Sequence, residues 1–300
     1  MKIALLIPTF SGFSGPDRVA WNEVDELSQN NEVTVFSFTA DMKHPRARMK
    51  VLGSPKNKTV ERLYKLLFFL ALFKMFHLVW ELRNYDRMIV FLYPMTLPAF
   101  LAKILFWRKY TYYDVGLAYP KLFKSLPERW GMRFIGLMTK ITVRNADAAV
   151  SISKFCSDEL RKDTGLRSKV KYVTIDTQRF NKKVDKKKIA AVRKKYNLQK
   201  PTLLYIGRIS PHKGIHLLLR SFAIVKKEFP KATLLIVGKH TFGSYSEKLK
   251  KMGGKNVIFT GFVPDEELPY YYGASDLYVT ASLWEGFDMP IKEAQACGKK

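Results

Sequence analysis

The fold of the second half of the chain follows from the stretch Leu203-Leu204-Tyr205-Ile206-Gly207-Arg208-Ile209-Ser210-Pro211-His212-Lys213-Gly214. Its first four residues are apolar, as in a buried strand, and the glycine after them marks the end of that strand. Ser210 is suited to cap a helix and Pro211 to its first turn, which places Lys213 one turn in from that cap, and the helical pattern runs over 214–228. The stretch is therefore a strand–loop–helix unit of a parallel α/β sheet.

The same alternation extends in both directions from this unit. Toward the C-terminus the pattern predicts strands at Thr233–Val237, 257–259 and 276–280, and helices at 244–252, 265–272 and Met289–Cys297. Toward the N-terminus it predicts strands at 2–7, Glu32–Phe38, Met88–Tyr93 and Ala146–Ile152, and a helix from Asp17 to Ser28. A charge-rich connector over 181–200 separates the halves, and 300 residues exceed what one core usually organises. We predict two Rossmann-like domains, residues 1–178 and 179–300.

Composition excludes several classes of protein. A hydrophobic content of 47% with 14% aromatic residues is enough for well-buried cores, so intrinsic disorder is excluded. Cys156 and Cys297 are far apart, and they form neither a disulfide framework nor a metal-ligand spacing. The apolar run at the N-terminus is too short for a signal peptide, and a reducing, cytoplasmic compartment is predicted.

The net charge of +26 indicates an anionic partner. The excess is spread evenly, with 29 Lys/Arg against 16 Asp/Glu in residues 1–180 and 23 against 10 in residues 181–300. A field of this size attracts nucleic acid, an anionic bilayer or phosphorylated substrates. Charge by itself does not choose among these three.

Arg208 and Lys213 are candidates for an anion site. Their spacing lets both side chains converge on an anion at the N-terminus of a helix, which already favours negative charge. Cations placed there stabilise a diphosphate that leaves with growing charge. The alternative is a chance pair of surface cations in a lysine-rich protein, and the strand–Gly–Arg–Lys–Gly setting favours the anion site.

The second informative stretch is Glu285-Gly286-Phe287-Asp288-Met289-Pro290-Ile291-Lys292-Glu293, which places one carboxylate in a loop and another in the helix after it. Carboxylates accept hydrogen bonds from sugar and ribose hydroxyls, and Gly286 leaves room for a sugar to approach the backbone. Asp288 is suited to cap the helix. For Asp288 a role as a helix cap only is the favoured interpretation, and for Glu293 the alternative is an ordinary solvated helix carboxylate. An acid/base pair of the glycosidase kind is disfavoured by the loop-to-helix placement.

These two stretches resemble the Gly-Arg-x4-Lys and E-x7-E motifs of the retaining glycosyltransferases of family 4. Two further segments are similar to family loops: Gly15-Pro16-Asp17-Arg18-Val19 to the N-terminal glycine loop, and Thr260-Gly261-Phe262-Val263-Pro264 to the loop that holds the base through main chain. The resemblance implies the GT-B fold, in which two Rossmann-like domains face each other across a cleft. It also implies transfer from a nucleotide-diphospho-sugar, with no metal and no other cofactor.

The resemblance also implies roles for individual residues. Arg208 and Lys213 would bind the diphosphate, Glu285 the transferred sugar and Glu293 the ribose hydroxyls. The other donor-binding residues it implies are Gly15, Asp114, Val263, Gly286, Phe287, Asp288 and Met289. The mechanism it implies is departure and attack on one face of the sugar, in which the leaving phosphate deprotonates the acceptor and no protein nucleophile is used.

Three features depart from the family pattern. Many members place a histidine that contacts the donor sugar where this chain has Asp114, which either accepts a sugar hydroxyl or is only a turn residue at the end of a strand. The segment 173–180 lacks the usual Asn-Gly before Asp176. The sequence ends at Lys300, two residues after Gly298, whereas the family continues with another strand and helices, so an incomplete C-terminal domain is expected.

Two apolar stretches carry basic residues. The first, Leu63–Leu82, is interrupted by Lys65 and Lys74 and is therefore too short and too charged to span a bilayer. The second, Lys121–Lys140, contains aromatic residues such as Trp130. Basic residues beside aromatic ones suit a helix in a membrane interface. A core helix with snorkelling lysines is the alternative. We predict a peripheral protein at the inner face of the cytoplasmic membrane, with a lipid-linked or cell-surface acceptor.

The alternative from another functional class is a polyanion-binding protein without transferase activity. The sequence contains no recognition helix, zinc spacing or RNA-binding aromatic signature, so no specific nucleic-acid partner is expected. Within enzymes, a phosphorylase or an epimerase is a third hypothesis. The seven-residue spacing of Glu285 and Glu293 favours transfer.

Overall fold

A computed structural model describes residues 1–12, 14–117, 119–123, 125–239 and 243–300. The chain divides into two compact units. The first is Met1–Pro120 with Lys124–Val173, and the second is Lys121–Phe123 with Thr174–Lys300. The division between Val173 and Thr174 lies close to the boundary predicted after residue 178.

The first unit is built on a parallel sheet. The strands are β1 (Lys2–Leu6), β2 (Thr9–Phe10), β3 (Glu32–Ser37), β4 (Thr39–Ala40), β5 (Ala47–Val51), β6 (Arg87–Val90), β7 (Tyr110–Asp114), β8 (Ala148–Ser151) and β9 (Lys169–Val170). Among the described residues, seven of them form a sheet in the order β5-β3-β1-β6-β7-β8-β9, and β2 pairs with β4. Every pairing is parallel, so the loops after the strands lie at one edge.

Helices connect these strands. They are α1 (Gly15–Leu27), α2 (Lys58–Leu66), α3 (Leu72–Leu82), α4 (Thr96–Phe106), α5 (Leu126–Val143) and α6 (Lys154–Thr164). α4 packs between α3 and α5 over an apolar core that includes Phe36, Phe68 and Met88. The stretch 63–82 is divided into the end of α2, a 3₁₀ turn at Phe68–Leu70 and α3. In the described part of the chain, no helix combines the length and the apolarity needed to cross a bilayer.

The second unit repeats the plan with a smaller sheet. Its strands are β10 (Thr202–Ile206), β11 (Thr233–Val237), β12 (Val257–Gly261) and β13 (Leu277–Tyr278), and its helices are α7 (Lys186–Lys195), α8 (Ile215–Glu228), α9 (Gly243–Met252), α10 (Leu268–Ala274) and α11 (Met289–Ala296). The strand order is β12-β11-β10-β13, and all pairs are parallel. β10 and β11 are buried at every residue, as expected of a parallel sheet covered on both faces.

The order of strands in the second unit contains a reversal. From β10 the chain proceeds outward through β11 to β12, and then returns to place β13 on the other side of β10. The loops that follow β10 and β13 therefore leave the same edge of the sheet next to each other. In open parallel sheets, a crevice at such a switch point is where ligands bind.

Candidate active site

The two motif-bearing loops are held together at this switch point. The amide of Leu283 donates to the carbonyl of His212 at 2.8 Å. A Cβ built on Gly214 would lie 1.8 Å from the carbonyl oxygen of Ala281, and Gly214 has a φ of +66°. Only glycine permits both this backbone conformation and this approach, so the loop after β13 rests directly on the turn after β10.

The side chains of Lys213 and Glu285 meet across the two loops. The ammonium of Lys213 pairs with Oε1 of Glu285, and the Ser282 hydroxyl donates to the same oxygen at 2.7 Å. Both members of the pair are mostly buried, with side chains 17% and 23% exposed. The structure thus brings together two residues that the sequence singled out separately. Ser282 was missed, since no local signal distinguishes it from other loop serines.

The turn before α8 differs from the prediction in two respects. Ser210 makes no capping hydrogen bond; its hydroxyl contacts Nδ1 of His212 at 3.2 Å. Pro211–Lys213 is a separate 3₁₀ turn that ends at the left-handed Gly214, and α8 starts only after it. Lys213 therefore precedes the helix, where the prediction placed it one turn inside. The cause is the glycine, whose conformation breaks the helix that the cap and the proline would otherwise start.

Arg208 and Lys213 act on the same small region. Arg208 is exposed on the loop just after β10, and its carbonyl accepts a hydrogen bond from the Tyr205 hydroxyl at 3.3 Å. Burial, Lys213 and Arg208 together lower the pKa of the His212 imidazole to about 4. Burial is the largest cause, and the two cations add to it because both lie close enough to disfavour a further positive charge.

The loop from Gly286 to Met289 leads into α11. Asp288 occupies the cap position of that helix without a standard side-chain cap hydrogen bond. Burial, followed by the neighbouring Glu285 carboxylate, raises the pKa of Asp288 to about 6. Gly286 is buried, and Phe287 and Met289 are half-buried. Of the predicted donor-binding residues in this loop, Asp288 therefore lies close enough to Glu285 for the two carboxylates to interact.

Glu293 is buried, with 2% of its surface exposed. The hydroxyl of Tyr272, on α10, donates to Oε2 of Glu293 at 2.7 Å. Burial, followed by Glu293, raises the pKa of that tyrosine. The interpretation as an ordinary solvated helix carboxylate is therefore wrong. Tyr272 was not found from the sequence, because its place beside Glu293 depends on how α10 packs against α11.

Backbone hydrogen bonds link the remaining strand ends. The amide of Gly207 donates to Val237 and the amide of Gly238 donates to Gly261. A Cβ on Gly238 would lie 1.9 Å from the carbonyl oxygen of Gly207, so the chain needs glycine at this point. Val263, in the loop after β12, buries its side chain in the apolar core. Only its main chain is left for the role in base binding that the resemblance implies.

In the first unit, Gly15 is the first residue of α1, and it directly follows the loop after β1 and β2. The Ser14 hydroxyl accepts the amide of Asp17 at 3.2 Å and so caps the helix. Asp17 itself is buried and accepts the Ser11 amide at 3.0 Å and the Thr9 hydroxyl at 3.1 Å. These bonds fix the loop ahead of Gly15. This positioning by Asp17 was not predicted.

Asp114 ends β7 and is buried. Its Oδ1 accepts the Gly116 amide at 3.0 Å, and its Oδ2 accepts the Ser151 hydroxyl at 2.9 Å. Burial raises the pKa of Asp114 to about 6. The bond to the amide two residues ahead is the turn role that was one of its two alternatives, and contact with a donor sugar stays a prediction.

No group of three or more His, Cys, Asp or Glu side chains that could hold a metal ion occurs among the residues the structure describes. Both cysteines are buried and unbridged.

Comparison with known proteins finds similarity to glycosyl transferases in the C-terminal part of the chain. Residues 186–300 match the family model "Glycosyl transferases group 1". The mannosylfructose-phosphate synthase of Agrobacterium fabrum is 30% identical over 171 residues, 53% of this chain and 37% of the relative. The GDP-mannose-dependent alpha-(1-6)-phosphatidylinositol monomannoside mannosyltransferase of Mycolicibacterium smegmatis is 27% identical over 169 residues, 51% of this chain and 43% of the relative. The chain thus spans about two fifths of the length of these relatives.

The fold is similar to solved structures over its whole length. HepE of Anabaena, in complex with UDP and glucose, superposes with a TM-score of 0.79 at 20% identity and covers 100% of this chain and 79% of that one. The chain therefore has the GT-B fold, built on two parallel-sheet units. Its C-terminal part, residues 186–300, is similar to the group 1 glycosyl transferases.

Proposed function

We propose that this protein is a retaining glycosyltransferase that moves a sugar from a nucleotide-diphospho-sugar to an acceptor. The observation that carries the proposal is the contact between Lys213 and Glu285 beside Arg208, at the switch point of the second sheet. A cation pair for a diphosphate and a carboxylate for a sugar are the two requirements of such a donor. The candidate residues for both lie in one pair of neighbouring loops, which supports the proposal.

Each residue of the site has a proposed role. Arg208 is exposed and carries a fixed charge, so it binds the diphosphate directly. Lys213 is held by Glu285 until the diphosphate arrives and then stabilises both groups. The second acceptor oxygen of Glu285 is directed to a hydroxyl of the transferred sugar. Glu293, aligned by Tyr272, accepts the ribose hydroxyls. Main-chain groups around Phe287 position sugar and phosphate.

In the proposed reaction the bond between the anomeric carbon and the diphosphate oxygen breaks, and the acceptor oxygen bonds to the same face of that carbon. The acceptor proton passes to the leaving phosphate. Arg208 and Lys213 stabilise the charge that develops on that phosphate more than they stabilise the bound substrate, which lowers the barrier. No protein nucleophile, metal or other cofactor takes part.

The names of relatives support the donor class and leave its base open. One relative is GDP-mannose-dependent, and one structural neighbour holds UDP and glucose. The acceptor is proposed to be lipid-linked or part of a cell-surface glycan, reached by peripheral association of the protein with the inner face of the cytoplasmic membrane. The net charge of +26 and a relative that acts on a phosphatidylinositol mannoside support this part of the proposal.

The test is ligand-induced thermal stabilisation by UDP, GDP, ADP and their sugar conjugates. We expect one nucleotide to stabilise the wild type and its effect to weaken on Arg208→Ala by about 10–100-fold in Kd, the value of a charge-assisted contact. Arg220→Ala removes the same charge from the exposed surface of α8 and is the matched control. Equal response of both variants, or equal stabilisation by any polyanion, would favour the polyanion-binding alternative.

A second measurement addresses the stereochemistry. Once the donor is known, the anomeric configuration of the transferred sugar in the glycoside product, read by NMR from its anomeric coupling constants, distinguishes retention from inversion. A product of the same anomeric configuration as the donor is expected.

A further inference from the structure

We infer that the outer surface of the helices α2 to α5 is a docking surface for an anionic lipid bilayer. This surface, called the apolar–basic face below, is marked by Phe73, Phe76, Trp80, Trp107, Trp130 and Leu137, all of them exposed. The inference deepens the membrane part of the proposed function. It concerns the first unit alone, whereas the diphosphate site lies in the second.

The helix α3 is apolar on both sides. Its inner side buries Met75, Leu78, Val79 and Leu82 in the core. Its outer side carries Phe73, Phe76 and Trp80, one or two turns apart, and Phe73 is 86% exposed. Phe76 stacks on Trp80 at 6.2 Å between ring centroids, and Arg83 covers the same indole at 3.6 Å. A helix that satisfied its core alone would not need this second row of aromatic side chains.

The apolar–basic face continues onto α4. The ring of Trp80 packs edge-on against Phe106, at 5.8 Å. The residue after α4, Trp107, is 89% exposed in a left-handed conformation that turns the chain at the end of the helix. Arg108 and Lys109 follow it directly. An indole presented next to two cations is the pattern of an interfacial anchor.

On α5, apolar and basic side chains alternate along one exposed stripe. Trp130, Arg133, Leu137, Lys140 and Arg144 lie three or four residues apart and are exposed. The guanidinium of Arg133 lies 5.4 Å from the Trp130 ring. The stripe is therefore a mixed surface, in which each successive turn presents either a side chain for the acyl boundary or one for a headgroup.

These helices lie side by side, so the exposed residues form one surface. α4 packs between α3 and α5, and the 3₁₀ turn before α3 contacts α5 through Phe69 and Phe134, at 5.8 Å. Within the described residues, most of the large exposed apolar side chains of the chain lie between residues 58 and 143. Isolated exposed apolar residues are normal, whereas a cluster of this extent indicates an interaction site.

The charge of this surface indicates which partner binds to it. Residues 56–144 contain 16 Lys/Arg against 5 Asp/Glu. Two of these acids, Glu61 and Glu81, are paired with Lys65 and Lys50. An anionic headgroup layer above an acyl region matches cations interleaved with aromatic rings, since each anionic lipid supplies both. A nucleic acid would match the cations and leave the apolar rows exposed.

The experiment is co-sedimentation of the chain with vesicles of phosphatidylcholine alone and of phosphatidylcholine with 30% phosphatidylglycerol. We expect binding to the anionic vesicles, at least tenfold weaker in 1 M salt, where the screening length falls from about 10 Å to about 3 Å. Phe73→Ser with Phe76→Ser should weaken binding by about a hundredfold, at about tenfold for each inserted aromatic side chain. Arg133→Gln with Lys140→Gln should weaken it by about thirtyfold.

Matched controls keep the result interpretable. Phe229→Ser removes an exposed aromatic side chain, and Lys226→Gln with Lys227→Gln removes two charges, in both cases from the second unit. These variants should bind the vesicles as the wild type does. Equal loss in the control and test variants would overturn the inference, as would binding to duplex DNA that depends on the cations and not on Phe73.

Failure here is separable from failure of the proposed transferase. The nucleotide-induced stabilisation described above is measured on the same variants without vesicles. If the double variant Phe73→Ser with Phe76→Ser loses vesicle binding and keeps its response to nucleotide, the docking surface is supported. Unchanged vesicle binding in that variant overturns the docking surface and leaves the donor site unaffected.

Discussion

Replacing Gly214 by alanine should disrupt the contact that joins the two motif-bearing loops. The new Cβ would lie 1.8 Å from the Ala281 carbonyl oxygen, about 1.6 Å short of the 3.4 Å at which ordinary van der Waals contact begins. The alanine must also adopt a φ of +66°. The left-handed conformation costs about 1–2 kcal/mol and the overpacking about 1–3 kcal/mol, so the free energy of unfolding should fall by about 2–5 kcal/mol.

Differential scanning calorimetry is the assay. At roughly 4 °C per kcal/mol for a unit of this size, the transition of the second unit should move down by roughly 8–20 °C. Two other glycines of this unit separate the two causes. Gly261 has a φ of +76° and nothing within 4 Å of a built Cβ, so Gly261→Ala should cost only about 1–2 kcal/mol. Gly254 has neither constraint, and Gly254→Ala should change stability by less than about 0.5 kcal/mol.

The same substitution should also weaken nucleotide binding. Lys213 directly precedes Gly214, and Leu283 is bonded to His212, so separating the loops displaces Lys213 from Glu285. The reasoning is refuted if Gly214→Ala melts with the wild type, because the close approach of the loops would then be absent in solution. Equal destabilisation by Gly261→Ala would show that the backbone conformation matters and the contact with Ala281 does not.

Three further outcomes are expected. The pKa of His212, lowered to about 4 by burial and by the neighbouring cations, should rise when the cognate nucleoside diphosphate binds, because the negative charge of the ligand offsets that of Lys213. Titration of the imidazole by NMR with and without ligand measures this pKa, and an unchanged value would place the anion elsewhere. Tyr272→Phe should lower the free energy of unfolding by about 1–3 kcal/mol in urea titrations, since it removes a donor to the buried Glu293, and a neutral result would contradict that role. Burial raises the pKa of Asp114 to about 6 from 3.8, so the folded state holds this proton more tightly than the unfolded state does. The resulting contribution to the free energy of unfolding is complete below about pH 4 and is lost as the pH rises to about 6. The loss should be on the order of 2–3 kcal/mol in the wild type and absent in Asp114→Asn.

Most of the fold could be predicted from the sequence, because the patterns that indicate strands and helices are local. Apolar runs of strand length separated by helical periods predict a parallel α/β sheet without any knowledge of tertiary contacts. The strand β11 begins and ends where the pattern placed it, and α1, α8 and α11 lie within two residues of their predicted bounds. The predicted GT-B fold is confirmed by its structural neighbours.

Predictions from local sequence were wrong where the conformation of a residue depends on contacts with residues far away in the sequence. Ser210 and Pro211 have the chemistry of a helix start, but the approach of Ala281 requires a left-handed glycine at 214, so the helix begins later. The division of 63–82 into α2, a turn and α3 was missed for the same kind of reason. The bend is set by packing in the core around Phe68, and the apolar composition does not encode it locally.

The sequence by itself determined the order of strands and helices, the positive charge and the residue types at two motifs, because each of these is written in spacing and composition over a few turns of chain. Only the tertiary structure decided that Lys213 pairs with Glu285, that Tyr272 donates to Glu293 and that Phe73 and Trp107 are exposed. The physical reason is that contacts across many residues, and the side of a helix left outside, follow from how the layers pack. A one-dimensional pattern gives the period of a helix and does not give its neighbour.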